Sequence, residues 1–211
     1  MEDNIRNFRG FDFKIRKACR DKETLKSEIN PNYYQIPINP KIVVDIGAHI
    51  GGTSILAASL GAIVYAYEPE KENFKILKEN IKINNLKNKI YCFQKGVGIP
   101  GKRKLYFDPT NSGNATLKSN DCSFQEVNII TIQDVFKNIP HCDLLKSDCE
   151  GAEYEFIKDI PIKKIKQISM ELHVGNQEEM IKYLGQFYEV NYRWAVDMKS
   201  LMVYCHKPRE N

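Results

Sequence analysis

Val43-Val44-Asp45-Ile46-Gly47-Ala48-His49-Ile50-Gly51-Gly52, followed by Val64-Tyr65-Ala66-Tyr67-Glu68-Pro69, decides how this chain folds. An apolar run ends in an acid, breaks into a glycine-rich turn and opens a helical segment. A second apolar run then ends in another acid. In an open α/β sheet such a turn lies at the carboxyl end of the first strand. Small residues there let a ligand approach the backbone, and a carboxylate at the second strand's tip meets ribose hydroxyls. Glu68 follows Gly47 by 21 positions, the interval a βαβ nucleotide site requires. Asp45 bears on the ligand's charge. An anion directly before the turn offers nothing to a phosphate but suits an ammonium or sulfonium group. That favours S-adenosylmethionine over NAD, whose Gly-x-Gly-x-x-Gly fingerprint is missing from Gly47-Ala48-His49-Ile50-Gly51.

Outward from this stretch, hydrophobic spacing predicts strands over 42–46, 63–67 and 90–93. Helices are expected over 53–60, stopped by Gly61, and over 70–85 with Phe74, Leu77 and Ile81 inward. Strands separated by helices imply parallel pairing. The rhythm then breaks: 102–107 and 127–131 read as strands flanking a polar loop, 108–126. Alternation resumes with a strand at 143–146, a helix at 152–158, a strand at 167–172 and a helix at 177–187 with Met180, Ile181 and Leu184 inward. Segments 188–194 and 201–206 have no helix between them and should form an antiparallel hairpin. The expected fold class is α/β, a mostly parallel Rossmann-like sheet finished by a C-terminal antiparallel hairpin, as in class I methyltransferases. Residues 1–38 read as a partly helical N-terminal extension and 39–208 as the catalytic domain.

Composition narrows the function classes. The 211 residues suit one ordinary core, and 27% charged with 42% hydrophobic residues is globular usage. A net charge of +4 neither requires nor excludes nucleic acid, although a dedicated binder usually shows a denser basic stripe. No apolar run reaches the roughly 20 residues of a membrane span, and the charged N-terminus is no secretory signal. Six cysteines without a CxxC pair read as reduced thiols in a cytoplasmic protein rather than a zinc site.

Three further segments complete a resemblance: Asp143-Leu144-Leu145-Lys146-Ser147-Asp148-Cys149-Glu150-Gly151-Ala152-Glu153, Met170-Glu171-Leu172-His173 and Tyr67-Glu68-Pro69. With the glycine turn they resemble the FkbM-type S-adenosylmethionine-dependent methyltransferases over roughly residues 41–175. The resemblance implies methylation of a hydroxyl on a small molecule, sugar or lipid-like acceptor. It sets Asp45, Gly47, Ala48 and Gly51 on the cofactor turn, Glu68 on the ribose and Gly96 and Val97 beside the adenine. His49 and Pro69 are counted with these contacts. It also sets substrate-side residues near Asn111 and Asn114.

The residues themselves carry the chemistry further. Asp148 projects from a strand's carboxyl end, where ligands of open sheets bind. Glu150 and Glu153 could equally be first-turn acids favoured by a helix dipole. Glu171 and His173 end the next strand with side chains on one face. In-line methyl transfer needs alignment and a proton acceptor. His173 and Asp148 are the candidates for that role, with Glu150, Glu153 and Glu171 orienting the acceptor. Glu171 and His173 could also bind a divalent metal with Asp148, but none is expected, because ordinary sulfonium chemistry needs none. The competing readings are an RNA methyltransferase, a nicotinamide oxidoreductase and a non-catalytic cofactor-binding protein. Ser147-Asp148-Cys149-Glu150 stands where base-amine methylation often uses an Asn-Pro-Pro-Tyr-like segment, so a small-molecule hydroxyl is favoured over nucleic acid as partner.

Overall fold

Two strands at the N-terminus, β1 (Ile5–Phe8) and β2 (Phe11–Lys14), pair antiparallel and lead into helix α1 (Asp21–Glu28). The computed structural model describes residues 4–17, 19–108, 111–116, 123–195 and 199–207, with backbone alone at 107–108 and 111–116. Next come β3 (Ile42–Ile46), α2 (Gly52–Ser59), β4 (Ile63–Tyr67), α3 (Lys71–Ile83) and β5 (Ile90–Phe93). A second sheet follows with β6 (Gly96–Val97), β7 (Gly101–Asp108), β8 (Asn111–Thr116) and β9 (Ser123–Ile130), then the short α4 (Ile132–Val135). The chain returns through β10 (Cys142–Ser147), β11 (Ile165–Leu172), α5 (Gln177–Leu184), β12 (Glu189–Trp194) and β13 (Leu201–His206).

The main sheet has seven strands in the order β12-β13-β11-β10-β3-β4-β5. Strands β11, β10, β3, β4 and β5 are parallel, and β13 and β12 close the edge antiparallel, as the sequence pattern predicts. Parallel strands flanked by helices are covered on both faces, so β3 and β10 read as continuous apolar runs. One core lies on each side. Val43, Ile55, Leu77 and Val64 meet on one face; Val44, Leu145, Ile168 and Phe156 meet on the other.

The structure departs from the sequence reading in three places. The polar loop expected over 108–126 contains β8 and the start of β9. There β7 pairs with both, giving a four-stranded sheet in the order β6-β9-β7-β8. Polar composition is compatible with an edge strand, because half its backbone groups face away from any partner. The helix expected over 152–158 is two 3-10 turns, Glu153–Glu155 and Ile157–Asp159, because Phe156 at φ −135° interrupts them. The N-terminal segment is no appendage. Phe13, Leu25, Ile29 and Tyr34 share the core of β3, β4 and α2. Asn80 of α3 and Asn84 just after it pin the hairpin: Asn80 Oδ1 accepts from Lys14 N–H at 2.7 Å, and Asn84 Nδ2 donates to the Asp12 carbonyl at 2.8 Å. Among the described residues no helix is long and apolar enough to cross a membrane.

Candidate active site

The carboxyl ends of β3, β4 and β10 and the start of β6 open onto one cleft, whose wall includes Gly47, Glu68, Gly96, Asp148 and Glu150. The glycine turn is built by backbone packing. Gly47 and Ala48 N–H both donate to the Tyr67 carbonyl, at 2.9 and 3.0 Å. Gly47 has φ +76°, and a Cβ there would stand 1.7 Å from the Asp148 carbonyl oxygen. The absence of a side chain at Gly47 therefore serves the close packing of the turns after β3 and β10 as well as ligand approach. Gly51, at φ +101°, starts α2 against Leu77, and Ala48 is buried in the core.

Asp45 does not line the cleft. The sequence reading assigns its charge to a cofactor cation, but the structure supplies an internal one. Lys146 of β10, with no exposed surface, holds Nζ 3.0 Å from Asp45 Oδ1 and donates to the Gly47 carbonyl at 2.6 Å. Burial alone would lower the Lys146 ammonium, yet Asp45, Asp148 and Glu28 outweigh it and hold it above its ordinary value. Ser54 Oγ donates to Asp45 Oδ2 at 2.6 Å and completes the site. A lysine inside Asp143-Leu144-Leu145-Lys146, register partner of Asp45, was the sequence signal for this pair.

Glu68 sits at the tip of β4 and faces the cleft. Its Oε2 accepts from His49 N–H at 2.8 Å and its Oε1 from Glu70 N–H at 2.9 Å. Burial pushes Glu68 up to about 7 despite these donors. His49 also lines the cleft, at φ +50°, with Nε2 3.6 Å from Asp21 of α1. Burial lowers it to about 4, so its imidazole is neutral. Pro69, Gly96 and Val97 form an apolar slot with Leu105 and Ile129.

Sequence reasoning missed Glu28. It ends α1, is 3% exposed, lines the cleft and accepts from Gly52 N–H at 3.2 Å. Burial raises it well above the usual carboxylate range, as do the charges of Asp45 and Asp148. Its segment carries no motif, so only the docking of α1 reveals it.

At the other end of the cleft the structure brings together all five residues of the acid and histidine cluster. His173 Nε2 lies 3.2 Å from Glu150 Oε2 and 4.0 Å from both Asp148 Oδ1 and Glu171 Oε1, while Nδ1 lies 3.5 Å from Glu153 Oε1. Burial opposes charge on the ring, but Glu153 and the charges of Asp148 and Glu150 push His173 up to about 10. The ring is thereby biased toward its protonated form. Tyr34 O–H donates to Asp148 Oδ2 at 2.8 Å, and Ser200 O–H donates to Glu171. The side chains of Asn111 and Asn114 lie outside the described residues.

Solved structures of similar fold define the class. Precorrin-6y C5,15-methyltransferase from Geobacter metallireducens GS-15 is 14% identical, with 92% of this chain and 93% of that chain covered and a TM-score of 0.55. Methanocaldococcus jannaschii Trm5 in complex with adenosine is 15% identical (98% and 56% covered, TM-score 0.56). M. capricolum TrmK in complex with S-adenosyl-homocysteine is 14% identical (87% and 67% covered, TM-score 0.53). The fold is therefore that of the Rossmann-like class I methyltransferases. A family model of the methyltransferase FkbM domain matches residues 45–194, and the chain belongs to that family. It is an S-adenosylmethionine-dependent methyltransferase.

Proposed function

We propose that this chain methylates a hydroxyl oxygen on a small acceptor. The observation that carries the reading is one cleft with two chemically different ends: a strand-tip carboxylate beside an apolar slot, and a cage of acids around His173. The donor set fits the cofactor. Glu68 suits vicinal ribose hydroxyls, the slot of Pro69, Gly96, Val97 and Ile129 suits a planar base, and Glu28 with Asp148 suits an ammonium. S-adenosylmethionine, when bound, supplies a methyl carbon activated by a positively charged sulfur.

The protein's work is then alignment, exclusion of water and management of one proton. Asp148 and Glu150 both line the cleft and belong to the cage, so they accept hydrogen bonds from an incoming hydroxyl. Asp148 is held by Tyr34 and Glu150 by the imidazolium. The hydroxyl proton passes to Asp148 as the oxygen attacks, with Glu150 orienting the acceptor. Two carboxylates at the cleft wall, Asp148 and Glu150, also suit a phosphate backbone poorly, which favours a small hydroxylated acceptor over RNA. The test is transfer of isotope-labelled methyl from S-adenosylmethionine to a panel of small polyols, sugars and hydroxylated lipids, run beside transfer RNA. Label in an ether of a small acceptor supports the reading; label confined to the RNA contradicts it.

A further inference from the structure

We infer that Asp148, Glu150 and the imidazole of His173 form a binding site for a divalent first-row transition-metal cation at the acceptor end of the cleft. One ligand atom from each residue lies within 4.8 Å of the other two. Ligands about 2.1 Å from one ion stand roughly 3–4 Å apart, so small rotations of the two carboxylates close the set. The three side chains are only 21–25% exposed, enough to leave part of an ion's coordination open toward the cleft. Asp148 and Glu150 come from the loop after β10, and His173 from the residue after β11, a neighbouring parallel strand. The sheet itself thus fixes their approach.

What separates this cluster from an ordinary group of surface acids lies behind the ring. Glu153 has no exposed side-chain surface, its Oε1 is 3.5 Å from His173 Nδ1, and its Oε2 is buried without a hydrogen-bond partner. Cys149 N–H donates to Glu153 Oε1 at 2.6 Å and holds this acid in place. Glu153 approaches Nδ1 at 3.5 Å without hydrogen-bond geometry, and the other nitrogen, Nε2, faces the side where Glu150 and Asp148 stand. The order carboxylate, histidine, cation is how proteins fix the tautomer and direction of a ligating imidazole. The nearest buried ammonium, Lys146, is committed to Asp45 and to the Gly47 carbonyl, so it does not fill the cage. Two carboxylates with one imidazole suit manganese, iron or zinc better than magnesium or calcium, which take all-oxygen sets.

A cation there would place positive charge beside an acceptor oxygen. That use rests on the proposed methyl transfer, whereas the binding site itself does not. The test uses the full chain, stripped with a chelator and titrated with Mn2+ under electron paramagnetic resonance. One tight Mn2+ per chain is expected, with Mg2+ competing only weakly. Glu153→Gln leaves all three ligands in place and should weaken Mn2+ about 10- to 100-fold. His173→Ala should remove the tight site, and Glu150→Gln stands in if a melt shows that variant unfolded. Wild-type protein that binds Mn2+ no better than these variants, or Mg2+ as tightly as Mn2+, overturns the proposal. Calorimetry with S-adenosylhomocysteine on the same samples reports on the cofactor cleft separately, so loss of one reading is distinguishable from loss of the other.

Discussion

Glu28→Gln isolates one end of the proposed cofactor contact. With a ribose at Glu68 and a base toward Gly96 and Val97, the amino-acid end of the cofactor extends toward Gly47, Asp148 and Glu28. Glu28 is buried and retains a Gly52 N–H donor, and glutamine keeps both its shape and that acceptor. Burial holds the Glu28 carboxyl well above its usual range, so an arriving ammonium has to draw out its charged form, which glutamine cannot supply. A hydrogen bond to a charged group contributes about 1.5–3 kcal/mol. Lost from binding, this is roughly a 10- to 150-fold rise in Kd. Calorimetry with two ligands makes the assay specific. S-adenosylhomocysteine carries the ammonium and should show the loss, whereas 5′-methylthioadenosine lacks it and should bind both proteins alike. Equal weakening of both ligands would mean that the variant merely distorts the turn. Unchanged S-adenosylhomocysteine binding would refute the assignment of Glu28 outright.

Two other consequences concern stability. Lys146→Met leaves Asp45 buried without its cation and should cost about 3–5 kcal/mol in urea denaturation, while the double variant with Asp45→Asn should recover part of that loss. Glu68 is raised from 4.5 to about 7 in the folded protein. Its contribution to stability is thus fully present below pH 4.5 and is lost as pH rises through about 7, a span worth about 3 kcal/mol. Melting curves of the ligand-free protein between pH 5 and 8 should show this decline, and Glu68→Gln should flatten it; parallel curves would contradict the assignment.

The sheet was legible because its order rests on backbone rules that composition expresses directly. Val43-Val44 and Leu144-Leu145 are apolar on both faces because both faces are covered, and two strands without a helix between them, β12 and β13, must pair antiparallel. The convergence of Asp148, Glu150, Glu153, Glu171 and His173 was legible for the same reason, since β10 and β11 end side by side. Charge pairing was not. Asp45 looks free in the sequence because its partner, Lys146, lies 101 positions later and meets it only through strand register. Glu28 and Tyr34 were invisible because α1 and the segment after it dock through a few scattered residues, Leu25, Ile29 and Tyr34, with no periodicity to read.

The most direct measurement is a crystal structure of the chain with S-adenosylhomocysteine bound. The account requires the ribose hydroxyls on the Glu68 carboxylate, the base between Pro69 and Val97, and the sulfur turned toward Asp148 and Glu150. A ligand seated elsewhere, or one in this cleft with its sulfur turned away from the acid and histidine cage, would contradict it.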